Sequence, residues 1–296
     1  MAGELITADR QIQWAGLLWG DGTDLAVVDV PGWEDLASVD DASVPRPQQH
    51  GSLPGRLLTQ SRTIACTIQV TCPPEDWPAL RRTLRAATAL RQDEQPLVVR
   101  LAGEPLLAWA RITRRAMTTD TAGVLGNPVV SLLFEASDPR LYEVTEHAES
   151  TPLPGTETGL SFGTPEVGLS FGSPTEVGLD FGAPGATGDI IATNSGTEDT
   201  HPLIEIRGPV TTPTLTLGAL RLEYDLALAA TDVLVIDTRT GAVTLGGQDR
   251  SATATARSAP EDDFALPPGQ SVVSFRAAGP TDPAASATLR WRSAYL

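Results

Sequence analysis

Two serines near the middle of the chain stand in a pattern that can support nucleophilic catalysis. Residues 159–163 and 168–172 both read G-x-S-x-G, the turn that presents an activated serine in many hydrolases. That chemistry needs a strand before the serine, a helix after it, and a histidine and an acid as partners. Prolines follow both copies and favour a turn over a long helix. A third copy, residues 178–182, has Asp180 at the serine position, so the pattern does not predict a hydrolase.

The repeats are better explained as short apolar hooks. Each copy carries a leucine and a phenylalanine two residues apart, and an extended chain places such a pair on one face. Apolar side chains exposed in series would form an adhesive surface, so we expect them to dock on the chain's own domains or on a neighbouring subunit. The docking residues predicted in this way are Leu160, Phe162, Leu169, Phe171, Leu179 and Phe181.

Few other residues have the type and spacing of a catalytic or metal site. The three histidines, His50, His147 and His201, lie in polar or proline-rich stretches, and none has a second histidine or cysteine at metal-ligand spacing. A weak cation site at His201, beside Glu198 and Asp199, is one interpretation, and a solvated loop is the other. No glycine loop of the phosphate-binding kind is present. We therefore predict no catalytic residue, no cofactor and no metal.

The balance of charges argues against nucleic acid as a binding partner. The chain has 296 residues, enough for two ordinary domains, with 21 basic and 37 acidic residues and a net charge of −16. Every basic residue is an arginine. An acidic chain is not built to hold nucleic acid by neutralising its phosphates, so we expect no sequence-specific binding to it.

The cysteines and the hydropathy indicate where the chain folds. Cys66 and Cys72 fall on one predicted strand, about 20 Å apart, which is too far for a disulfide. We expect two buried free thiols and folding in a reducing cytoplasm. Residues 1–10 lack the apolar core of a signal peptide. No stretch approaches the roughly 20 apolar residues of a membrane span, so we expect no membrane insertion.

The first part of the chain, residues 1–145, predicts a β-rich domain with one helix. Gly20-Asp21-Gly22 is a turn signal between two apolar segments, and residues 38–56 read as a polar loop. Residues 63–72 alternate apolar and polar side chains, which is the strongest strand signal in the chain. Further strands are predicted at 97–101, 106–116 and 129–136. These elements favour a sheet or small barrel with a helix packed on it.

The helix is predicted at about residues 75–91, directly after that strong strand. Two prolines and two acidic residues end the strand and open the helix. Its apolar stripe contains Trp77, Leu80, Leu84 and Ala87. Its outer face carries Arg81, Arg82 and Arg85. These arginines are a candidate interaction surface, and a solvated helix face is the alternative.

The second part of the chain predicts a linker and a β-sandwich. Residues 146–188 are rich in glycine and proline and contain the three GL(S/D)FG repeats. From residue 189 to 296, short alternating segments recur about every ten residues with turn residues between them, which is typical of a sandwich. The predicted fold class is therefore mainly β, with an α+β N-terminal domain that holds one helix.

A series of short phrases along the chain resembles a known family. Residues 55–72 are similar to a G-R…R-T-I…V strand, residues 134–142 to an F-x-A-x-D-P-x-x-Y corner, and residues 194–208 to an N-x-G-T…P-x-I-x-I-x-G opening. Further phrases in the same order are residues 159–162, 236–238, 266–269 and 291–296. Together they resemble the distal tail proteins, or Dit-like minor tail proteins, of long-tailed siphovirus bacteriophages. The G-L-S-F phrase at residue 159 resembles versions from phages of actinobacterial hosts.

That resemblance implies a fold, a place and a set of partners. The N-terminal domain would be split-barrel-like and form a ring, usually of six copies, and the C-terminal sandwich would be galectin-like. The ring would be a non-catalytic adaptor at the virion tail tip. Its partners would be further copies of itself, the tail tube protein, the tail tip hub protein and the tape-measure protein. We expect acidic side chains to line its channel, where they would repel passing DNA.

A binding module is the competing function. In that alternative the C-terminal sandwich would bind carbohydrate on the host surface, with a host glycan as partner, although a fold alone does not establish such a role. A sugar site needs exposed aromatic side chains beside polar ones on one sheet face. Beyond the repeats, this half offers only Tyr224, Phe264, Phe275, Trp291 and Tyr295.

Overall fold

The computed structural model describes residues 2–125, 127–155, 186–279 and 282–296. These residues form two compact units. The first unit contains the residues up to Thr145 together with Ser293–Leu296, and the second contains Glu146–Arg292. Both consist mainly of β-strands, which confirms the predicted mainly β fold class.

The first unit is an antiparallel sheet with one helix of three turns. Its elements are β1 (Gln11–Trp14), β2 (Leu17–Trp19), β3 (Leu25–Asp29), β4 (Val39–Asp41), β5 (Val44–Pro45), β6 (Ser52–Leu53), β7 (Leu57–Thr59), β8 (Arg62–Val70), α1 (Trp77–Ala87), β9 (Gln95–Leu101), β10 (Glu104–Met117), the four-residue turn α2 (Thr121–Val124), β11 (Val129–Ala136) and β12 (Leu141–Glu143).

In the described residues of the second unit, the elements are strands, apart from two short 3₁₀ turns at Ser251–Thr253 and Glu261–Asp263. Its strands are β13 (His147–Pro152), β14 (Asp189–Asn194), β15 (Leu203–Arg207), β16 (Val210–Leu217), β17 (Leu220–Glu223), β18 (Ala227–Leu228), β19 (Val233–Asp237), β20 (Ala242–Leu245), β21 (Gln248–Asp249), β22 (Gly269–Ala278) and β23 (Ser286–Trp291). A last strand, β24 (Ala294–Tyr295), returns the chain to the first unit.

The main sheet of the first unit curls until its two outermost strands are neighbours. The strand order is β2-β1-β9-β10-β11-β8-β3, with β12 on β10 and β24 on β12. β2 and β3 stand at opposite ends of this order, yet only residues 20–24 separate them in the chain. In that turn the Gly20 N–H donates to the Leu25 carbonyl at 2.7 Å. Because a turn this short can join only strands that are close in space, the sheet is almost closed into a barrel.

Strict alternation on β8 decides which face of the sheet is inside. Every second residue from Arg62 to Val70 is buried, and the residues between them are not. β11 pairs with β8 in register, so that Phe134 lies opposite Ile64 in the core. The Phe134 ring meets the Trp14 ring edge to face, with centroids 4.9 Å apart. The predicted strand at 63–72 is therefore confirmed, with its last two residues outside the ladder.

The predicted helix is confirmed but ends at Ala87, four residues earlier than expected. Trp77, Leu84 and Ala87 are its buried residues. Its last carbonyl groups are taken by side chains, since the Trp14 indole donates to Ala87 at 2.9 Å and Arg115 donates to Arg85 at 3.2 Å. Leu90, just past this point, is 78% exposed, so further turns would gain little from packing.

Residues 38–60 form a paired arm instead of the predicted loop. β4 pairs with β7, β5 pairs with β6, and neither ladder pairs with another described strand. The Gln60 N–H donates to the Ser38 carbonyl at 2.7 Å and closes the base of the arm. The strands are only two or three residues long, which is too short for a period to stand out in the sequence. The polar and turn residues between them predicted a loop for that reason.

Two sheets face each other in the second unit, as the sandwich prediction requires. One has the order β13-β23-β15-β19-β20-β21, and the other has β14-β22-β16-β17 with β18 beside β16. Their inward side chains form one buried cluster around Tyr224, Phe264 and Phe275. The fold class of this unit is therefore confirmed as a β-sandwich.

The boundaries of the units differ from the sequence boundaries in two places. β13 lies within the predicted linker at 146–188 and pairs with β23 along its whole length. Ser293–Leu296 fall in the first unit, where Tyr295 lies opposite Leu141. Strand pairing between distant segments decides both assignments, and neither is visible in the local composition.

Candidate assembly surfaces

The repeats that suggested either hydrolase chemistry or docking hooks lie outside the described residues. This applies to both serines and to the six predicted docking positions: Leu160, Phe162, Leu169, Phe171, Leu179 and Phe181. The role of these residues stays a prediction.

The histidines do not converge on a site. His201 Nε2 lies 3.1 Å from the Asp262 carbonyl, His147 stacks on Trp291 with ring centroids 5.6 Å apart, and His50 is exposed in the arm. Within the described ranges, no group of three or more histidine, cysteine or acidic side chains is placed to hold a metal ion. No helix of the described part is both long and apolar enough to span a membrane.

The two cysteines are free and buried, as predicted. Desolvation raises the pKa of Cys66 to about 12, and the nearby Asp29 charge adds to the shift. Desolvation also raises the pKa of Cys72, with Asp24 as the largest of several acidic neighbours. Because the thiolate is the reactive form, both thiols are poor nucleophiles at neutral pH.

The predicted arginine surface is on the outer face of α1. The side chains of Arg81, Arg82 and Arg85 are exposed, and none of them makes an ion pair or hydrogen bond with another described side chain. Their positive charge therefore faces outward, as both an interaction surface and a solvated face would require. As a docking site they stay a prediction.

Arg62, from the R-T-I phrase, forms what we call the Arg62 clamp. It is 2% exposed. Its Nε donates to the Pro139 carbonyl at 2.7 Å, and its Nη1 lies 3.0, 2.9 and 2.6 Å from the carbonyl oxygens of Gly32, Trp33 and Asp35. Desolvation lowers the pKa of Arg62, and the charges of Glu34 and Asp35 oppose that shift. The clamp ties the segment that leads into the arm to the corner after β11.

That corner is the D-P-x-x-Y phrase, and its own side chains close it. The Tyr142 hydroxyl donates to the Asp138 carboxylate at 2.6 Å, and Arg140 pairs with the same carboxylate at 3.3 Å. The two phrases of the N-terminal half are thus in contact, because Arg62 binds the carbonyl of Pro139 within the corner. Sequence reasoning identified these residues as family markers but did not predict that contact.

Asn194, from the N-x-G-T phrase, forms a second and uncharged clamp, the Asn194 clamp. Its Nδ2 donates to the carbonyls of Glu198 at 2.7 Å and Leu266 at 3.1 Å, and its Oδ1 accepts from the Gly196 N–H at 3.0 Å. The Thr200 hydroxyl donates to the Arg292 carbonyl at 2.7 Å. These bonds join the phrase near residue 194 to the phrases near residues 266 and 291.

Three more marker residues have a structural explanation in the second unit. The buried Thr238 hydroxyl donates to the Pro202 carbonyl at 2.8 Å, and the Trp291 indole donates to Thr193 at 2.9 Å. A Cβ at Gly208 would lie 2.2 Å from the Ala229 carbonyl oxygen, so only glycine fits there. The markers of both units therefore hold loops and strand ends in place.

Glu223 is a buried charge that sequence reasoning missed. Its side chain is 2% exposed, although it lies on the outer side of β17. It pairs with Arg221 and with Arg257, the latter at 3.0 Å, and accepts from Thr255 at 3.0 Å. Burial opposes ionisation, but the hydrogen bonds from Arg221 and Thr255 and the charges of Arg221 and Arg257 outweigh it and lower the pKa of Glu223. The residues that bury Glu223 lie in a loop more than thirty residues later in the chain, so the local sequence does not indicate that this side chain is buried.

The described aromatic side chains of the sandwich do not form a platform for sugars. Tyr224, Phe264, Phe275 and Trp291 are all buried, and Tyr295 lies in the first unit. Stacking on a sugar ring requires an exposed aromatic face. The residues described in this unit therefore give no support to the glycan-binding alternative.

The arm carries a concentration of exposed apolar side chains. Val44, Leu53, Leu57 and Leu58 are 53–66% exposed. The two chains of the arm run so close together that a Cβ at Gly55 would lie 2.3 Å from the Ala42 carbonyl oxygen, which explains the glycine of the G-R phrase. Isolated two-stranded ladders are marginally stable in water, so this surface is suited to contact with another molecule.

A groove of about 600 Å³ runs beside β3, at the base of the arm. We call it the β3 groove. Val28, Pro31 and Leu101 contribute apolar walls. The charged residues of the lining are three acids and one base: Asp29, Glu34, Asp35 and Arg10. Among the described residues, none of those that line it belongs to the arm.

The comparisons with known proteins agree with this architecture. A family model for the C-terminal domain of a siphovirus-type tail component matches residues 195–295. A search of curated proteins gives no match. The crystal structure of the SPP1 Dit protein, a hub of the adsorption apparatus in phages that infect Gram-positive bacteria, is similar with a TM-score of 0.64 and 15% identity, over 97% of this chain and 99% of that chain.

A second solved structure extends the likeness. A chain of the phage p2 baseplate in its activated conformation is similar with a TM-score of 0.52 and 12% identity, over 95% of this chain and 96% of that chain. At such identities the solved structures establish the fold. The predicted resemblance to distal tail proteins is confirmed: residues 195–295 match the model for the C-terminal domain of a siphovirus-type tail component, and the chain has a fold similar to that of SPP1 Dit.

Proposed function

We propose that this chain is a structural component of the tail tip of a long-tailed phage. The observation that carries the proposal is the tail component domain at residues 195–295, within a chain that follows the fold of SPP1 Dit over 97% of its length. Fold alone does not fix function. Here the family model supports the same role independently of the fold.

In its finer form, the proposal is an adaptor ring, with six copies as the expected number. The ring joins the tail tube protein to the tip hub protein and surrounds the channel for DNA and the tape-measure protein. A closed ring of identical subunits needs a head-to-tail interface, in which two different surfaces meet. The exposed apolar arm and the β3 groove are two such different surfaces on one unit.

The charge of the chain supports a channel that does not retain DNA. A net charge of −16 without any lysine repels phosphates, provided that acidic groups face the channel. A structure of the assembled ring tests this directly. We expect the side chains that face the channel to carry a net negative charge, and a neutral or positive channel would contradict the proposal.

The size of the assembly is the first experiment. We would measure the molar mass of the purified chain by light scattering over a range of concentrations and image the same peak by negative stain. The expected result is an annular particle near six times the 31.2 kDa chain mass. A chain that remains monomeric both alone and when mixed with tail tube and hub proteins would contradict the ring.

A further inference from the structure

We propose that the tip of the arm docks into the β3 groove of a second copy of this chain. This inference rests on the proposed ring and identifies the two surfaces that build it. It concerns only the first unit.

The tip of the arm presents an apolar pair with an arginine beside it. Val44 lies directly opposite Leu53 in the ladder, so both side chains are on one face. Arg46 follows Val44 by two residues, which places it on the same side of an extended chain. Val44 is 60% exposed and Leu53 is 55% exposed, and the Arg46 side chain makes no ion pair with another described residue.

The β3 groove is complementary to the tip of the arm in its apolar surface and in its charge. Its walls contain Val28, which is 55% exposed, together with Pro31 and Leu101. Its rim carries Asp29, Glu34 and Asp35, and the charges of Glu34 and Asp35 also act on the buried Arg62. Although Arg10 also lines the groove, the three carboxylates outnumber it, so an apolar pair with an adjacent cation fits this groove.

The length of the arm favours a contact between copies. From Ser38 to Pro45 the chain runs outward over eight residues, about 25 Å in extended form. Among the described residues, no residue of the arm lines the groove of the same copy. Because arm and groove are different surfaces, each copy offers one of each, and repetition of the contact closes a ring or extends a chain.

Complementary variants test the inference in the full-length protein. The arm variant Val44→Ser/Leu53→Ser and the groove variant Val28→Arg should each weaken self-association by roughly tenfold or more, since central apolar anchors dominate interfaces. Both change exposed residues, so thermal unfolding should stay close to that of the parent. Leu90→Ser is the matched control, because Leu90 is 78% exposed but lies outside both surfaces.

A mixture of the arm variant and the groove variant gives the most specific test. The arm variant keeps an intact groove and the groove variant keeps an intact arm, so a mixture holds one working contact per pair. We expect heterodimers and no larger species. Larger assemblies in the mixture, or undiminished assembly of either variant alone, would overturn the inference.

A charge exchange and a crosslink make the test independent of how tightly the parent assembles. Arg46→Glu and Glu34→Arg should each reduce association, and the two together should restore it. Leu53→Cys with Val28→Cys should form an intermolecular disulfide ladder on oxidation, whereas Leu53→Cys with Leu90→Cys should not. The native thiols do not interfere because both are buried. Failure to form a ladder would overturn the contact.

These results separate the inference from the proposed function. If rings persist in both the arm variant and the groove variant, the proposed adaptor ring is supported and the proposed role of the arm in its interface is contradicted. A crosslinked ladder without closed rings would support the contact and contradict the ring.

Discussion

The Arg62 clamp and the Asn194 clamp solve the same problem with different chemistry. Both clamps bind carbonyl groups from segments that lie outside the main strands. The first uses a buried cation with four acceptors, and the second uses a neutral amide with two acceptors and one donor. A buried charge is costly to leave unpaired, so the first clamp tolerates less change. The first unit, which carries the exposed arm, therefore depends on the clamp that is more sensitive to substitution.

The largest expected effect comes from breaking the Arg62 clamp. Arg62→Leu removes the donors of four carbonyl groups and should lower the free energy of unfolding of the first unit by about 3–5 kcal/mol. It should also reduce self-association, because the clamp fixes Gly32 to Asp35 at the base of the arm. Denaturant unfolding and light scattering measure the two effects. Arg62→Lys is the control and should be intermediate, since one ammonium group cannot reach all four oxygens.

Breaking the Asn194 clamp should be less costly and should leave assembly intact. Asn194→Ala removes at least three hydrogen bonds within the sandwich, for an expected loss of about 2–3 kcal/mol. Separate unfolding transitions for the two units would assign the loss to the second one. Reduced self-association in this variant would contradict the division of roles between the clamps.

A substitution of Glu223 tests whether the loss of a buried charge destabilises the second unit, as the loss of Arg62 is expected to destabilise the first. Glu223→Gln should cost about 1–2 kcal/mol at pH 7. The folded-state pKa of Glu223 is lowered, so its contribution is present above the ordinary carboxyl pKa of about 4.3 and is lost as the pH falls through the folded value. Unfolding curves of both proteins should therefore converge in acid. A difference that grows on acidification would contradict this account.

Thr238 provides the smallest and most specific change. Thr238→Val keeps the shape of the side chain but leaves the Pro202 carbonyl without its donor, at an expected cost of about 1 kcal/mol. Thr240→Val is the matched control, because Thr240 is exposed. Thermal unfolding compares the two, and equal stabilities would show that the Thr238 hydrogen bond contributes nothing measurable.

The sequence predicted the elements whose signals are local. The alternation of β8, the apolar stripe of α1 and the turn at Gly20 all depend on neighbouring residues, and all three are found. The arm was missed because its strands are two or three residues long. A signal was nevertheless present in the leucines and valines that recur through residues 39–58.

The buried charged residues were harder to predict than the fold because their burial depends on contacts with distant segments. Arg62 and Glu223 are charged, and charged side chains are expected to be exposed. Their burial depends on segments 27 to 77 residues away for Arg62 and on the loop around Thr255 for Glu223. Only the order of the family phrases marked Arg62 as unusual, and nothing local marked Glu223.

The return of the last strand to the first unit makes the sandwich an insertion. The second unit begins at Glu146 and ends at Arg292, and the side chains of these two residues pair at 3.8 Å. His147 lies opposite Trp291 in the adjoining ladder. Domains whose ends lie side by side can be inserted or exchanged at low cost to their host. In genetic terms, the sandwich has the layout of a cassette, which recombination can replace while the coding sequence on either side of it stays the same.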